Sequence, residues 1–274
     1  PYGYPGYVVS EAAGQNPDFR RRAIEQLLEH WKGRGICSAF LRLHPLLNTD
    51  TEELHGFDFR VTSSETVSVD LTQPEEDLWR GTNRKHRTSI NKALRLGITT
   101  RVVDYSEHLP VFEEIYNDTM TRVSAESQYF FSREYFLDLA KLGDGVRLMV
   151  VDYDGEIVAA TIILICNGIV QAHLGGTRSE YLNLSPYTLS LHQLRIWAKE
   201  QGFQTLHLGG GLGGANDHLM TYKARFSPLR HHFQTVRMVV DPVMYQEMIE
   251  QRAIAASTTP DALLASTFFP AYRS

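Results

Sequence analysis

Tyr222 and Lys223 stand side by side in a helix-like run, Asn216–Phe226, that follows a glycine stretch. Gly209, Gly210, Gly211, Gly213 and Gly214 fill five of six positions there, and an apolar strand-like run, Thr205–Leu208, leads in. Glycine permits positive φ and lets backbone N–H groups turn toward a ligand. A strand, a glycine turn and a helix start together make a place for an anionic group or a developing oxyanion. The stretch Leu206–Pro228 therefore reads as the floor of an active site.

Other chemistries fit less well. Gly209-x-Gly211-x-x-Gly214 matches a dinucleotide pattern only loosely. That pattern belongs to the first unit of a parallel sheet, with an acid closing the next strand, and here the strand His231–Val240 holds none. The phosphate-loop pattern fails because Ala215 stands where a lysine is required. The histidines, among them 173, 192, 207, 218, 231 and 232, lack metal-ligand spacing, and no nucleophile elbow surrounds a serine. No metal is expected. A lone helical lysine is ordinarily a surface charge, but the glycine loop before Lys223 and the flanking Tyr222 and Arg225 argue for more.

A second chemical feature is the run Asn83–Leu96, which carries Arg84, Lys85, His86, Arg87, Lys92 and Arg95 in a chain of net charge −5. Such a run is usually a solvated helix face, and contact with phosphates is the functional alternative. The acidic balance argues against extensive nucleic-acid binding without excluding a local basic groove. Cys37 and Cys166 lie inside apolar runs and are expected as buried, reduced thiols. No apolar run reaches the ~18 residues of a membrane span, so a cytoplasmic protein is the expectation. The chain opens at Pro1 rather than Met, and part of a first domain is expected to precede it.

These residues need a scaffold. The 43% apolar content supports a sizeable core. Pro1–Tyr7 reads as a Pro/Gly/Tyr loop, either an aromatic wall of a site or a surface turn. Asp18 is placed to cap a helix to about Lys32, followed by a buried strand, Ile36–Leu43, and another at Thr66–Leu71. A short acidic helix, Pro74–Arg80, precedes the basic one. From Ile98 a full α/β pattern follows: strand 98–103, helices Glu107–Val123 and Ser132–Leu142, then strands Val146–Tyr153, Glu156–Cys166 and Ile169–Gly175. Asp154-Gly155 and Asn167-Gly168 are hairpin turns, so these three strands form a meander. Pro186 opens a long helix to about Gln201. Strand 204–208, helix 216–226, strand His231–Val240 and a helix to about Ala256 complete the pattern.

The order of elements and several segments together resemble the Fem-type (FemABX-like) branch of the GNAT acyltransferase superfamily. The segments are NRKHRTSINKALRLG, HLGGTRSEYLNLSPYTLSLHQLRIWAKEQG, LHLGGG and LMTYKARFSP, with PYGYPG and AFLRLHP resembling the back half of a first domain. The resemblance implies an α/β (α+β) GNAT fold, with a central mixed, mostly antiparallel sheet flanked by helices. It also implies a tandem architecture: a partial first unit at 1–80, a basic connecting helix at 81–97, a complete catalytic unit at 98–256 and a tail at 257–274.

The resemblance further implies an N-acyltransferase, in which an acceptor amine attacks an activated acyl group. The donor would be aminoacyl-tRNA or acyl-CoA, used as a co-substrate with no tightly bound cofactor. The acceptor would be a small or nucleotide-linked precursor of the cell envelope or of a natural product. Lys223 takes the family's motif lysine, beside the donor's acyl end. Tyr222 takes the aromatic position, where a tyrosine resembles the general acid of CoA-using relatives. Arg84, Lys85, Arg87 and Arg122 would grip phosphates. Tyr181 and Asn183 would face the same cleft, with Gly209, Gly210, Gly211 and Asp217 completing the binding surface. His173, Asp217 and His218 are the candidate bases, and attack by a neutral amine needs none. The loop Thr177–Pro186 has no glycine, which weakens CoA; Tyr222 favours it slightly. The alternative is a non-catalytic module of the same fold that binds tRNA or a nucleotide-sugar.

Overall fold

The structure, a computed structural model, describes residues 3–48, 54 and 60–274, without the side chains of 60–63. In chain order the elements are helices α1 (Glu11–Gly14) and α2 (Pro17–Gly33), strands β1 (Ser38–Arg42) and β2 (Arg60–Asp70), and helices α3 (Glu75–Gly81) and α4 (Arg84–Arg95). Then come β3 (Thr99–Val103), α5 (Tyr105–Arg122), α6 (Arg133–Ala140), β4 (Val146–Tyr153), β5 (Glu156–Cys166) and β6 (Ile169–Thr177). The chain closes with α7 (Pro186–Glu200), β7 (Thr205–Gly209), α8 (His218–Ala224), β8 (Arg230–Val239), α9 (Pro242–Ala255) and α10 (Pro260–Leu264).

Two compact units result: Pro1–Ser64 with His232–Ser274, and Glu65–His231. This differs from the expected division at residue 80. β8 returns to pair antiparallel with β1, from Ser38–Val239 to Arg42–Thr235, so the C-terminal residues complete the first unit instead of a second one. The expected tail contributes too: Leu263 and Ala271 pack with Cys37, Tyr245, Ile249 and Ala253. Residues 75–95, expected partly as a linker, belong wholly to the second unit.

Within the first unit β1 and β8 are neighbouring antiparallel strands. Ile24 of α2 packs on Leu43, Val236 and Met238. α2 is capped by Asn16, which accepts from Phe19 N at 2.9 Å, and not by Asp18. Pro17 at the first helical position moves the start two residues earlier than expected. β1 is half-exposed rather than buried, with Phe40 at the surface. Tyr4, from the N-terminal loop, packs edge-on against His44 and Phe233. Its neighbours Pro1 and Tyr2 lie outside the described residues.

The second unit carries the expected mixed, mostly antiparallel sheet, in the order β2-β7-β6-β5-β4-β3. β4 to β6 form an antiparallel meander, and β3 pairs antiparallel with β4 after the chain has passed through α5 and α6. The meander's two-residue turns put Asp154, Gly155, Asn167 and Gly168 at positive φ, as tight hairpin turns require. β6 and β7 are parallel, joined through α7, and β7 is antiparallel to β2. One face is covered by α5 and α6, through Leu109, Phe112, Ile115, Tyr116 and Phe136. The other is covered by α7, through Leu191, Leu194 and Ala198, with Met220 and Phe226 from the α8 region. α4 joins that second layer through Ile90 and Ala93. Cys37 is buried, but Cys166 is exposed, because it is the last residue of β5 and pairs with Ile169 at the hairpin end.

Candidate active site

The parallel pairing of β6 and β7 covers only three residue pairs, Ile169–Thr205, Val170–Leu206 and Gln171–His207. β6 then runs on to Thr177, while β7 stops at Gly209. Among the described residues no strand takes the freed edge of β6 beyond Gln171. Unpaired backbone N–H and C=O groups need partners, and such an edge is ready to hold an extended ligand.

The glycine loop begins where the strands part. A side chain at Gly210 would put its Cβ 2.6 Å from the Glu65 carbonyl oxygen, and one at Gly211 would collide with Ala215 O and Asp217. These glycines let the loop fold tightly on itself and on β2.

Asp217 locks that fold. As N-cap of α8 it accepts from Met220 N at 2.8 Å, and its other oxygen accepts from Leu212 N at 2.9 Å. Burial raises its pKa, and these amide donors outweigh it, so the net shift is downward and the carboxylate stays charged. Helix and loop are thereby fixed for Lys223, which donates from Nζ to Gly210 O at 2.7 Å. Burial lowers the pKa of this half-buried ammonium to about 8, against the opposing charge of Asp217. One cation is therefore held at the end of β7, where the sheet opens.

Tyr222 is held among aromatic rings. Its hydroxyl lies 3.1 Å from Thr188 Oγ1, in the first turn of α7. Its ring is stacked on Tyr187 and edge-on to His86 and Phe226. Burial in this cluster pushes the phenol pKa well above its ordinary value. His86 Nε2 bonds Tyr222 O at 3.0 Å, and burial holds its pKa near 4, so the imidazole is neutral. Asn83 N donates to Arg225 O at 2.7 Å. The start of α4 is thus fastened to α8 through His86 and Asn83. His86 was hidden in the basic run, although its i, i+4, i+7 spacing with the buried Ile90 and Ala93 marks the apolar stripe.

The remaining expected site residues do not converge on Lys223. Arg84 and Lys85 are exposed on the first turn of α4. Arg87 donates to the carbonyls of Trp79 (3.3 Å) and Arg80 (3.0 Å), closing the end of α3. Arg122 donates to Thr177 O and Ser179 Oγ, both at 2.9 Å, and pairs with Asp118. It holds the β6–α7 connection. Tyr181 donates to Glu156 at 3.2 Å, and Asn183 offers its carbonyl to Lys92 Nζ at 3.1 Å. His173 Nε2 lies 2.7 Å from Tyr135 Oη, on the α6 side of the sheet, and burial lowers its pKa to about 4. His218 is exposed at the first position of α8. Among the described residues, no group of three or more His, Cys, Asp or Glu side chains is placed to hold a metal. Nor is any described helix long and apolar enough to cross a membrane.

A family model described as the acetyltransferase (GNAT) domain matches residues 80–224. The chain belongs to that family. The matched segment runs from the end of α3 to the last residue of α8, so it takes in the parted strands, the glycine loop and Lys223. No protein of curated function matches this GNAT chain. Its fold is similar to that of FemX, with a TM-score of 0.67 at 13% identity over 85% of this chain and 79% of FemX. It is also similar to the C-terminal domain of a putative lysylphosphatidylglycerol synthetase from Agrobacterium fabrum, with a TM-score of 0.58, 16% identity and 81% and 72% of the two chains covered. The L-PGS of Bacillus licheniformis gives a TM-score of 0.57 at 18% identity, covering 78% of this chain and 71% of that one. At these identities the likeness is one of fold. Family and fold make the protein a GNAT-type acyltransferase.

Proposed function

We propose that this GNAT protein forms an amide bond, moving an aminoacyl group from aminoacyl-tRNA to an amine on a small or nucleotide-linked acceptor. The observation that carries this reading is Lys223, a half-buried cation fixed at the parted ends of β6 and β7. The neutral acceptor amine attacks the acyl carbonyl carbon with its lone pair. The carbonyl π electrons move to oxygen, and Lys223 stabilises that negative charge. The intermediate collapses, the C–O bond to the donor ribose breaks, and the amine's surplus proton leaves to solvent or with the released hydroxyl.

The β6–α7 connection supports an ester donor over acyl-CoA. A pyrophosphate would need free backbone N–H groups there. Ser179 N donates to Asp118, Tyr181 N to Arg178 O and Ser185 N to Leu182 O, and Pro186 opens α7 with no N–H at all. Tyr222, the group that favoured CoA, has its hydroxyl hydrogen-bonded to Thr188 Oγ1. The name of the lysylphosphatidylglycerol synthetase neighbours describes an aminoacyl product for those proteins, and the shared fold suits the same donor class here. Supplying the intact chain with charged tRNA or with acetyl-CoA, beside a panel of amine acceptors, tests the choice. Ribonuclease-sensitive transfer supports the reading; transfer from acetyl-CoA alone refutes the donor.

A further inference from the structure

A cavity of about 390 Å³ lies among α3, α4 and α7, lined by Glu75, Glu76, Trp79, Asn91, Leu94 and His192. It shares no residue with the loop and helix that carry Lys223. The lining residue least exposed to solvent is His192, at 6%. The imidazole Nδ1 lies 3.0 Å from Nη2 of Arg195. A guanidinium only donates, so Nδ1 accepts and the ring proton sits on Nε2. Burial, helped by the Arg195 charge, lowers the His192 pKa to about 4, which keeps the ring neutral. Arg195 is itself held by Leu78 O at 3.1 Å and Thr82 Oγ1 at 2.9 Å, so the imidazole cannot swing. Its Nε2–H, on the ring edge away from Arg195, has no partner among the described residues.

The cavity is therefore polarised. One wall carries the His192 N–H donor, with the Arg195 guanidinium bonded to its other nitrogen and within electrostatic reach of Glu75. The cavity's mouth presents the exposed carboxylates of Glu75 and Glu76. Trp79, whose ring centroid lies 5.2 Å from that of His192, and Leu94 give it apolar walls. The nearby Arg87 is turned away onto the carbonyls of Trp79 and Arg80. A ligand that fits has an acceptor oxygen at one end and a cation at the other, a few bonds apart. An indole face and two carboxylates suit an ammonium, and the N–H donor suits a carbonyl.

We propose that this cavity is a binding site for an α-ammonium carbonyl compound, such as an amino-acid amide or a peptide N-terminus, separate from the acyl-transfer centre. The carbonyl oxygen accepts from His192 Nε2, the ammonium lies between Glu75 and Glu76, and an apolar side chain rests on Trp79 and Leu94. The proposal goes beyond amide-bond formation and stands without it.

Leucinamide is the probe, titrated into the intact chain at slightly acid pH and followed by calorimetry and tryptophan fluorescence. Saturable binding is expected, weaker by about tenfold or more with N-acetyl-leucinamide, which has no cation. The same loss is expected in the E75Q/E76Q variant, whose exposed positions leave folding intact by thermal unfolding. W79F should abolish the fluorescence change, leaving Trp31 and Trp197 silent. Equal binding of the acetylated probe, unchanged affinity in E75Q/E76Q, a fluorescence change that survives in W79F, or no saturable binding would each overturn the assignment.

Discussion

Lys223 Nζ donates to the carbonyl oxygen of Gly210 at 2.7 Å, across the turn that separates β7 from α8. This contact joins the glycine stretch to the motif lysine. It places one desolvated cation at the only parallel junction in the second unit's described sheet.

Protonation of Lys223 gives the first prediction. The ammonium is present below its pKa of about 8 and is lost above it. The acceptor amine must be neutral, so its requirement runs the opposite way. The rate of acyl transfer should rise toward pH 8 and fall beyond it, and in K223R the alkaline fall should vanish. A fall of equal midpoint in K223R would assign it to another group. For stability the sign is opposite to that of a paired lysine. The unfolded chain keeps the proton up to the ordinary 10.5, so this group's contribution to stability rises from about pH 8 to 10.5.

Tyr222 is placed as a packing and positioning residue. Y222F removes one hydrogen bond, to Thr188, and should cost about 1 kcal/mol in denaturant unfolding. Acyl transfer should stay within a few-fold of the parent. A loss of roughly a hundredfold or more would restore the proton-donor role that the sequence suggested.

His86 couples the basic helix to α8. H86A removes a ring packed 4.8 Å from Tyr222 and 4.5 Å from Phe226, together with the bond to Tyr222 O. The expected cost is about 2–4 kcal/mol by chemical denaturation. Substitution of the exposed Arg84 or Lys85 by Ala should change stability by less than about 0.5 kcal/mol. Equal effects at the two kinds of position would mean that α4 is not docked through His86.

Asp217 should matter through the loop it holds. D217A frees Leu212 N and Met220 N and should cost about 1–2 kcal/mol. D217N, which keeps an acceptor oxygen for the cap, should recover part of both stability and activity. An Asn variant as inactive as the Ala variant, yet stably folded, would point to the charge itself.

Much of the fold was legible because local chemistry and tertiary pairing agree. Asp154-Gly155 and Asn167-Gly168 demand positive φ, and the antiparallel meander they predict is the centre of the sheet. Pro186 marks the start of α7 for the same reason of fixed φ. The division into units was not legible, because the pairing of β8 with β1 joins residues nearly 200 positions apart. No local pattern encodes that return.

At the candidate site, the sequence singled out Lys223 and its loop but did not display the direction of the groups around them. Arg87 and Arg122 looked like phosphate ligands from charge alone. Both are occupied by backbone carbonyls at helix and strand ends, which a sequence does not display. Gly210 and Gly211 were singled out as part of a binding surface, and the close approach of Glu65, Ala215 and Asp217 gives them a structural cause. The His192–Arg195 pair went unnoticed because its partners, Leu78 O and Thr82, lie more than a hundred residues earlier.

The most direct measurement is single-turnover transfer from a charged tRNA to an acceptor amine, comparing the parent with K223M at equal folded fraction. Loss of one preorganised oxyanion-stabilising group predicts a rate lower by roughly 10²–10³, with the unfolding midpoint preserved or raised by removal of a buried charge. Parent-like transfer by folded K223M would contradict the assignment of Lys223 and, with it, the site built around Gly210.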